Sequence, residues 1–333
     1  MLAVDSDKQI RTNDCPDCYL CQAKGNLLYQ NLRDRIFNAL GNWNLKQCSN
    51  PDCGLVWLDP MPFASEIGKA YETYCTHDSN EVTAKASGLR SLIWRACHAV
   101  WLTSFSVLGV KQEKISLDNL YLIQKPGRLL EVGCGAGKYL NRMKQSGWEV
   151  EGVDFDPKVA KTVADRYSIN IHTGTLESIG YADQSFDAVT MNHVIEHIPD
   201  PVALLKECNR ILKPGGSLIV VTPNISAWGH QQFGSSWLHL DPPRHLFLFS
   251  QETLKSCAQK AGFGQMRTLT TSIRAASCFA GSLEIQKSGR HMIMNPSKLN
   301  LFRGMLFQIY SILFKKQRNS GEEAVLIIQK ASD

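Results

Sequence analysis

From residue 128 to the C-terminus, short apolar runs alternate with stretches in which apolar positions recur at helical spacing. The runs at 128–132, 148–154, 169–172, 185–191 and 217–222 read as strands; 138–145, the segment from 157 and 202–212 read as helices. Local punctuation agrees with that division. Asp156 stands at an N-cap position with Pro157 at the first helical position, and Lys213-Pro214-Gly215-Gly216 turns a helix into a strand. Ser250 precedes a helical stretch at 252–261, and strands follow at 265–271 and 322–329. Alternating strands and helices predict an α/β fold over 126–333: a doubly wound, mostly parallel sheet. Ahead of it, 61–125 reads as a helical linker, with Ser65 as N-cap and Ile67, Ala70, Tyr71 and Tyr74 at helical spacing. The polar run 76–85 interrupts this linker, and 89–110 is strongly apolar, which predicts a helix packed on the domain as a lid; an in-plane membrane helix is the alternative.

Composition narrows the picture. A chain of 333 residues, 44% hydrophobic and 20% charged, suits a globular protein with room for two domains. Positions 1–14 are polar and acidic, without the apolar segment of a signal peptide, and no apolar run has the length of a spanning helix. The expected location is therefore cytoplasmic. The net charge of +5 is unevenly spread: 285–320 carries Lys287, Arg290, Lys298, Arg303, Lys315, Lys316 and Arg318 with no acidic residue. Leu299, Phe302, Leu306, Ile309 and Leu313 share one helical face there. Such a basic amphipathic insertion is expected either to dock on the domain by its apolar face or to meet an anionic surface, at the inner membrane face or on a lipid-linked acceptor.

The first strand ends in Glu131 and runs into Gly133-Cys134-Gly135-Ala136-Gly137 before the helix. Glycines there let the backbone approach a ligand, and free N–H groups of the first turn face it. A dinucleotide site needs its third glycine at 138, which is Lys138. The pattern Glu131-x-Gly133-x-Gly135-x-Gly137 instead resembles motif I of the class I S-adenosylmethionine-dependent methyltransferases, and Phe186-Asp187, Glu196-His197 and Leu212-Lys213-Pro214-Gly215-Gly216 match the same pattern downstream. The resemblance implies a Rossmann-like sheet of seven strands. It assigns cofactor contacts to Glu131, Gly133, Cys134, Gly135, Gly137, Asp154, Phe155, Thr175, Leu176 and Asn192. Asp154 also closes the second strand, where a carboxylate accepts from both ribose hydroxyls.

Eleven cysteines fall into two populations. Cys75, Cys97, Cys134, Cys208, Cys257 and Cys278 are scattered, as buried small apolar residues are in a reducing compartment. Cys15, Cys18, Cys21, Cys48 and Cys53 crowd into residues 1–60, two close groups separated by a hairpin-length segment, a spacing that presents four thiolates to zinc. Cys18-Tyr19-Leu20-Cys21 and Cys48 to Cys53-Gly54 resemble the zinc-ribbon knuckles ahead of some class I methyltransferase domains, which selects Cys18, Cys21, Cys48 and Cys53 as ligands and leaves open whether Cys15 replaces one. Gln22 stands where such a knuckle usually has glycine. Four thiolates leave no open coordination position, so the zinc is expected to be structural. Reduced or redox-active cysteines without metal are the alternative.

Two loops open above the sheet. The first, 192–199, contains His193-x-x-Glu196-His197, which is also an inverted zinc-peptidase motif; that motif needs a long helix, and Pro199 and Pro201 confine this one to a turn. Similarity to ubiquinone-biosynthesis O-methyltransferases implies a divalent ion near Glu196-His197, with His193 in the place of an acidic residue. The second loop, 223–245, ends in Asp241-Pro242-Pro243-Arg244-His245, which resembles the acceptor-side segment of small-molecule methyltransferases. An acceptor hydroxyl must lose its proton during attack, and a histidine with a pKa of ~6.5 suits that task. His245 is the first candidate for general base, His193 the second and His239 the third, while Arg244 is a candidate clamp for an anionic group.

The expected function is methyl transfer from S-adenosylmethionine to a small-molecule, glycan or lipid-linked acceptor, by O-methylation. A ribosomal- or transfer-RNA methyltransferase with a zinc module is one alternative, but the basic residues lack an interleaved aromatic stacking platform, so nucleic acid is not the expected partner. A zinc-ribbon interaction protein on a methyltransferase-like scaffold without turnover is the other; Glu131, the three glycines and Asp154 argue against it.

Overall fold

The computed structural model describes residues 9–71, 115–116, 118–120, 122, 124–291, 297–314 and 319–332. The lid helix expected over 89–110 lies outside the described residues, and the described start of the linker is a 3-10 turn at Ile67–Tyr71.

The N-terminal segment folds as β1 (Thr12–Asn13), β2 (Gly25–Leu32), β3 (Trp43–Cys48), β4 (Val56–Leu58) and β5 (Met61–Pro62). β2, β3 and β4 form an antiparallel meander and β1 pairs with β5. Trp43, Leu45, Val56, Trp57 and Leu58 are buried, so the alternation visible in β3 supplies one packed face.

The remainder runs β6 (Arg128–Val132), α1 (Lys138–Gln145), β7 (Glu149–Asp154), α2 (Pro157–Tyr167), β8 (Asn170–Thr173), α3 (Leu176–Ile179), β9 (Phe186–Asn192), α4 (Pro201–Ile211), β10 (Leu212–Pro223), α5 (Trp228–Phe233), β11 (Phe247–Leu248), α6 (Gln251–Lys260), β12 (Met266–Thr271), α7 (Ala275–Ser288), α8 (Lys298–Phe314) and β13 (Glu323–Gln329). The expected sheet forms with seven strands in the order β12-β13-β10-β9-β6-β7-β8, and β13 alone is antiparallel to its neighbours. Its central strands are apolar on both faces, as a sheet covered by helices on both sides requires: Leu129, Leu130, Val189, Met191, Val220 and Val221 are buried. Between β6 and β9 the chain changes direction across the sheet, and the crevice at the carboxyl ends of those strands is where such a fold holds ligands.

Several local expectations appear as observed contacts. Asp156 Oδ1 accepts the Lys158 N–H at 2.8 Å, and Ser250 with Thr253 forms a capping box at the start of α6. β10 begins earlier than expected, at Leu212, and takes up the glycine turn through a register break between Leu212 and Ser217.

Two features differ from the sequence expectation. β11 pairs with β4, Phe247 opposite Trp57 and Leu248 opposite Val56, so the cysteine module and the large domain share one sheet. In α8 the docked face mixes polar and small residues with Met305 and Phe307, and Phe307 stacks on Trp228 with ring centroids 4.2 Å apart. Asn300, Gln308 and Ser311 are buried, Gln308 Nε2 donates to the Ser272 carbonyl at 2.8 Å, and a Cβ on Gly304 would lie 2.1 Å from the Ala276 carbonyl oxygen. Leu299, Leu306 and Leu313 consequently point outward, 59%, 54% and 50% exposed.

Candidate active site

The carboxyl ends of β6, β7 and β9 open into a cavity of about 810 Å³, and Glu131, Gly133, Cys134, Gly135, Asp154, Phe155 and Asn192 all line it. Gly133, Gly135 and Gly137 have φ of 68°, 48° and 68°, the left-handed region that glycine tolerates. A Cβ on Gly133 would lie 2.4 Å from Val194 and one on Gly137 2.7 Å from Val163, so the loop's own packing requires both. At Gly135 nothing lies within 4 Å, and its face is open to the cavity. The Gly135 N–H donates to Asp154 Oδ2 at 2.9 Å and the Asp156 N–H to Oδ1 at 3.1 Å, which fixes the second-strand carboxylate against the glycine loop.

Glu131 is buried, and its Oε2 has no hydrogen-bond partner among the described residues; Asn192 Oδ1 is in the same state. Burial, with Asp154 nearby, pushes the Glu131 carboxyl well above the usual carboxylate range. Thr175 and Leu176 do not line the cavity. Thr175 caps α3 through the Ser178 N–H at 3.3 Å, and Leu176 is buried in the core. Gly137 also stays behind the wall, as the N-cap residue of α1.

The other half of the cavity is a histidine cluster. His245 is buried; its Nδ1 lies 2.7 Å from the His239 carbonyl oxygen, so Nδ1 carries the proton and Nε2 the lone pair. That Nε2 stands 4.0 Å from Glu196 Oε1 and 3.9 Å from Asp241 Oδ2. Burial, then the neighbouring His197, lowers its pKa to about 4, which leaves the ring neutral at pH 7. His193 has the opposite fate. Its φ is 56°, and it is clamped between two buried carboxylates, Nδ1 3.2 Å from Glu196 and Nε2 2.7 Å from Glu323. Burial opposes the charge, but Glu196 and Glu323 outweigh it and raise the pKa to about 9. Held between two buried carboxylates, the His193 ring favours its protonated form, an arrangement that suits a charged linker more than the second candidate base. His239 is pushed down to about 3, chiefly by burial, and its Nε2 has no partner among the described residues. Donor atoms of Glu196, His197 and His245 lie within 4.8 Å of one another, a metal-compatible trio in which His245 stands where the sequence offered His193.

Arg244 is likewise not a clamp for acceptor. Its side chain is 0% exposed, bonds Asp34 Oδ2 and Oδ1 at 2.7 and 2.9 Å, pairs with Asp241, and donates to the Ala70 carbonyl at 3.2 Å. Five guanidinium donors so engaged leave the residue as a bolt between module and domain. Sequence reasoning missed Asp34, which is 210 positions away and carries no local motif.

In the module, the sulfurs of Cys18, Cys21, Cys48 and Cys53 lie within 4.8 Å of one another, with Cys21–Cys48 at 3.3 Å and Cys18–Cys53 at 3.6 Å. Cys15 is outside the group: its N–H donates to Asp59 Oδ1 and its carbonyl accepts from Trp57 Nε1 at 2.8 Å. Gln22 takes φ 61° and Gly54 φ 68°, so both knuckles turn through the left-handed region, one of them without a glycine. Burial and the crowding of thiols push Cys53 up to about 11, while hydrogen bonds from Ala23, Cys48 and Cys18 outweigh burial and bring Cys21 down to about 7. Four sulfurs at this spacing cannot all ionise unless a cation offsets their repulsion.

Residues 112–265 match a protein family described as a methyltransferase domain. Ubiquinone biosynthesis O-methyltransferases of Xanthomonas oryzae pv. oryzae and Cereibacter sphaeroides are 36% identical over 104 residues and 40% identical over 102 residues, in each case 29% of this chain. The matched part is 43% and 41% of those proteins, so this chain spans under half the length of the curated relatives it matches. With the sheet order and the glycine loop, these matches define the class: the chain carries a class I S-adenosylmethionine-dependent methyltransferase domain. Among solved structures, a SAM-dependent methyltransferase of Thermotoga maritima is 22% identical, with 68% of this chain and 98% of that one covered and a TM-score of 0.44.

Proposed function

We propose that the protein transfers a methyl group from S-adenosylmethionine to a hydroxyl of a small-molecule acceptor, with the N-terminal module folded around a structural zinc ion. Glu131 carries the proposal: a buried carboxylate with an unpartnered oxygen, beside a second carboxylate and an open glycine, is a pocket short of positive charge. An amino-acid ammonium and a sulfonium supply that charge. Asp154 is set to hold a sugar hydroxyl pair and Asn192 Oδ1 to accept from the ligand. When bound, S-adenosylmethionine supplies an electrophilic methyl group, and this chain aligns the acceptor and excludes water. His245 Nε2 takes the acceptor proton, and Glu196 and Asp241, both near 4 Å, favour the imidazolium that results. The names of the relatives support oxygen as the acceptor atom.

The four convergent thiols support zinc at Cys18, Cys21, Cys48 and Cys53, where thiolates would be the ligands and the ion would close the module rather than take part in transfer. The outward leucines of α8, with Lys298 and Arg303 beside them, support a lipid-linked acceptor met at an anionic membrane surface. Transfer of radiolabelled methyl into fractions of a cell extract tests the reaction: label should enter an extractable small molecule or lipid with the wild type and not with His245→Ala. Label in RNA would refute the acceptor class. Transfer should survive EDTA; strict dependence on added divalent ion would assign Glu196, His197 and His245 to a metal instead.

A further inference from the structure

The segment that carries His245 is held from the cysteine module. On one side, Arg244 bonds Asp34, in the loop between β2 and β3, and both side chains are fully buried. On the other, the Leu58 N–H of β4 donates to the Leu246 carbonyl at 2.9 Å, and the Leu246 N–H donates to the Glu196 carbonyl at 2.8 Å. One peptide thus strings β4 to the loop at 192–199. Phe247 and Leu248 pair with Trp57 and Val56. His245 itself faces the cavity, with Nδ1 on the His239 carbonyl, so its place is set by neighbours that the module grips on either side.

Both cysteine knuckles feed into this joint. Tyr19, between Cys18 and Cys21, lays its ring against Phe247 with centroids 5.3 Å apart. Its hydroxyl donates to Asp200 Oδ1 and accepts the Val202 N–H at 3.2 Å. Asp200 is the N-cap of α4 and accepts the Ala203 N–H at 2.9 Å, so a single side chain of the first knuckle reaches both the end of the 192–199 loop and the strand after His245. The second knuckle runs through Gly54 and Leu55 into β4, and the Cys48 N–H donates to the Leu55 carbonyl at 2.8 Å. Within the first knuckle the backbone bonds are local, Gln22 N–H to the Cys18 carbonyl at 2.9 Å; an ion across the four sulfurs would tie that turn to the second. The cofactor loop is held differently, from the large sheet: the Gly133 N–H donates to the Val153 carbonyl at 2.7 Å and the Gly135 N–H to Asp154 at 2.9 Å.

We infer that the cysteine module is a working part of the transfer site: Tyr19 is a positioning residue that sets His245 through Phe247 and Asp200, the zinc ligands hold Tyr19 in place, and the cofactor pocket stands without them. A base displaced by about 1 Å costs on the order of 10²-fold in rate, so a support that acts only on the loops at 192–199 and 239–246 controls transfer without touching the cofactor. The inference rests on the proposed roles of zinc and His245, but the placement of that histidine can be read without turnover.

The test is NMR of the full chain labelled with ring-15N histidine, reading the water exchange of the His245 Nδ1–H, whose signal is assigned by its loss in His245→Gln. Tyr19→Phe keeps the ring against Phe247 and removes the bonds to Asp200 and Val202. It should keep one zinc per chain by elemental analysis and bind S-adenosylhomocysteine within about two-fold of wild type, while that exchange speeds up about five- to ten-fold. In the transfer assay it should lower kcat about ten-fold and leave the KM for S-adenosylmethionine unchanged. Cys48→Ser should lose zinc and the protected His245 signal together and still bind S-adenosylhomocysteine in calorimetry; Cys15→Ser should change neither. Unaltered exchange in Tyr19→Phe, or a His245 signal that survives the loss of zinc in Cys48→Ser, would overturn the inference. Loss of S-adenosylhomocysteine binding in Cys48→Ser would overturn it too, because the module would then support the whole fold and not these loops. Absence of binding in the wild type would instead remove the methyltransferase reading, and the His245 signal decides the positioning independently of it.

Discussion

Three of the histidines that line the cavity divide between two protonation states because they meet different partners. His193 is charged between Glu196 and Glu323, and His245 and His239 are neutral under burial. With His245 as base, kcat/KM should be flat across the neutral range and fall only as pH drops toward about 4; with His193 as base it would climb until about pH 9. A pH–rate profile therefore separates the two, and His245→Ala should lower kcat by roughly 10²–10⁴ while leaving S-adenosylhomocysteine affinity intact. His193 also makes a stability prediction. Its pKa in the folded chain, about 9, lies above the ordinary value of ~6.5, so its contribution is fully present below pH ~6.5 and is lost as pH rises through about 9. Denaturation of His193→Gln against wild type should show a deficit on the order of 3 kcal/mol at pH 6 that shrinks toward pH 10. The histidines are legible as a group in the sequence, but their charges are not: Glu323 lies 130 positions from His193, in a stretch whose pattern predicts only a strand.

Elements carried most of the information that local pattern can hold. The glycine loop, both capped helices and the strand ends were readable because each depends on neighbours a few residues away. The cavity now distinguishes glycines that look alike in sequence. Gly137→Ala meets both a left-handed φ and Val163 at 2.7 Å and should cost roughly 2–4 kcal/mol in urea denaturation. Gly135→Ala meets only the φ penalty, about 1–2 kcal/mol, but places a methyl group in the cofactor space and should weaken S-adenosylhomocysteine binding far more than it weakens the fold. Two elements misled the pattern. β11 has two residues, too few for any period, and α8 presents its leucines outward because Gly304, Met305, Phe307 and Gln308 form the face that packs on α5, α7 and the β12 end. Hydrophobic spacing reports that a face exists, not which neighbour it meets.

On the scale of the whole molecule, the module and the domain are one construction: a shared sheet through β4 and β11, and a buried ion pair of Asp34 with Arg244. Asp34→Asn leaves a buried guanidinium short of charge and should cost about 3–5 kcal/mol, read in urea, whereas replacing both partners with apolar residues should cost less. Metal content tests the other end of the module: Cys15→Ser should keep one zinc per chain by elemental analysis, and Cys48→Ser should lose it and the module's fold together. The joint was invisible in sequence because its partners are far apart and each, alone, is an ordinary surface residue type. The claim on which the rest depends is that the pocket above β6 and β7 is shaped for a sulfonium nucleoside. Isothermal titration of the full chain with S-adenosylhomocysteine tests it most directly: the account predicts saturable binding at one site that Asp154→Ala abolishes, and no heat of binding up to high micromolar ligand, or binding undiminished in Asp154→Ala, would contradict it.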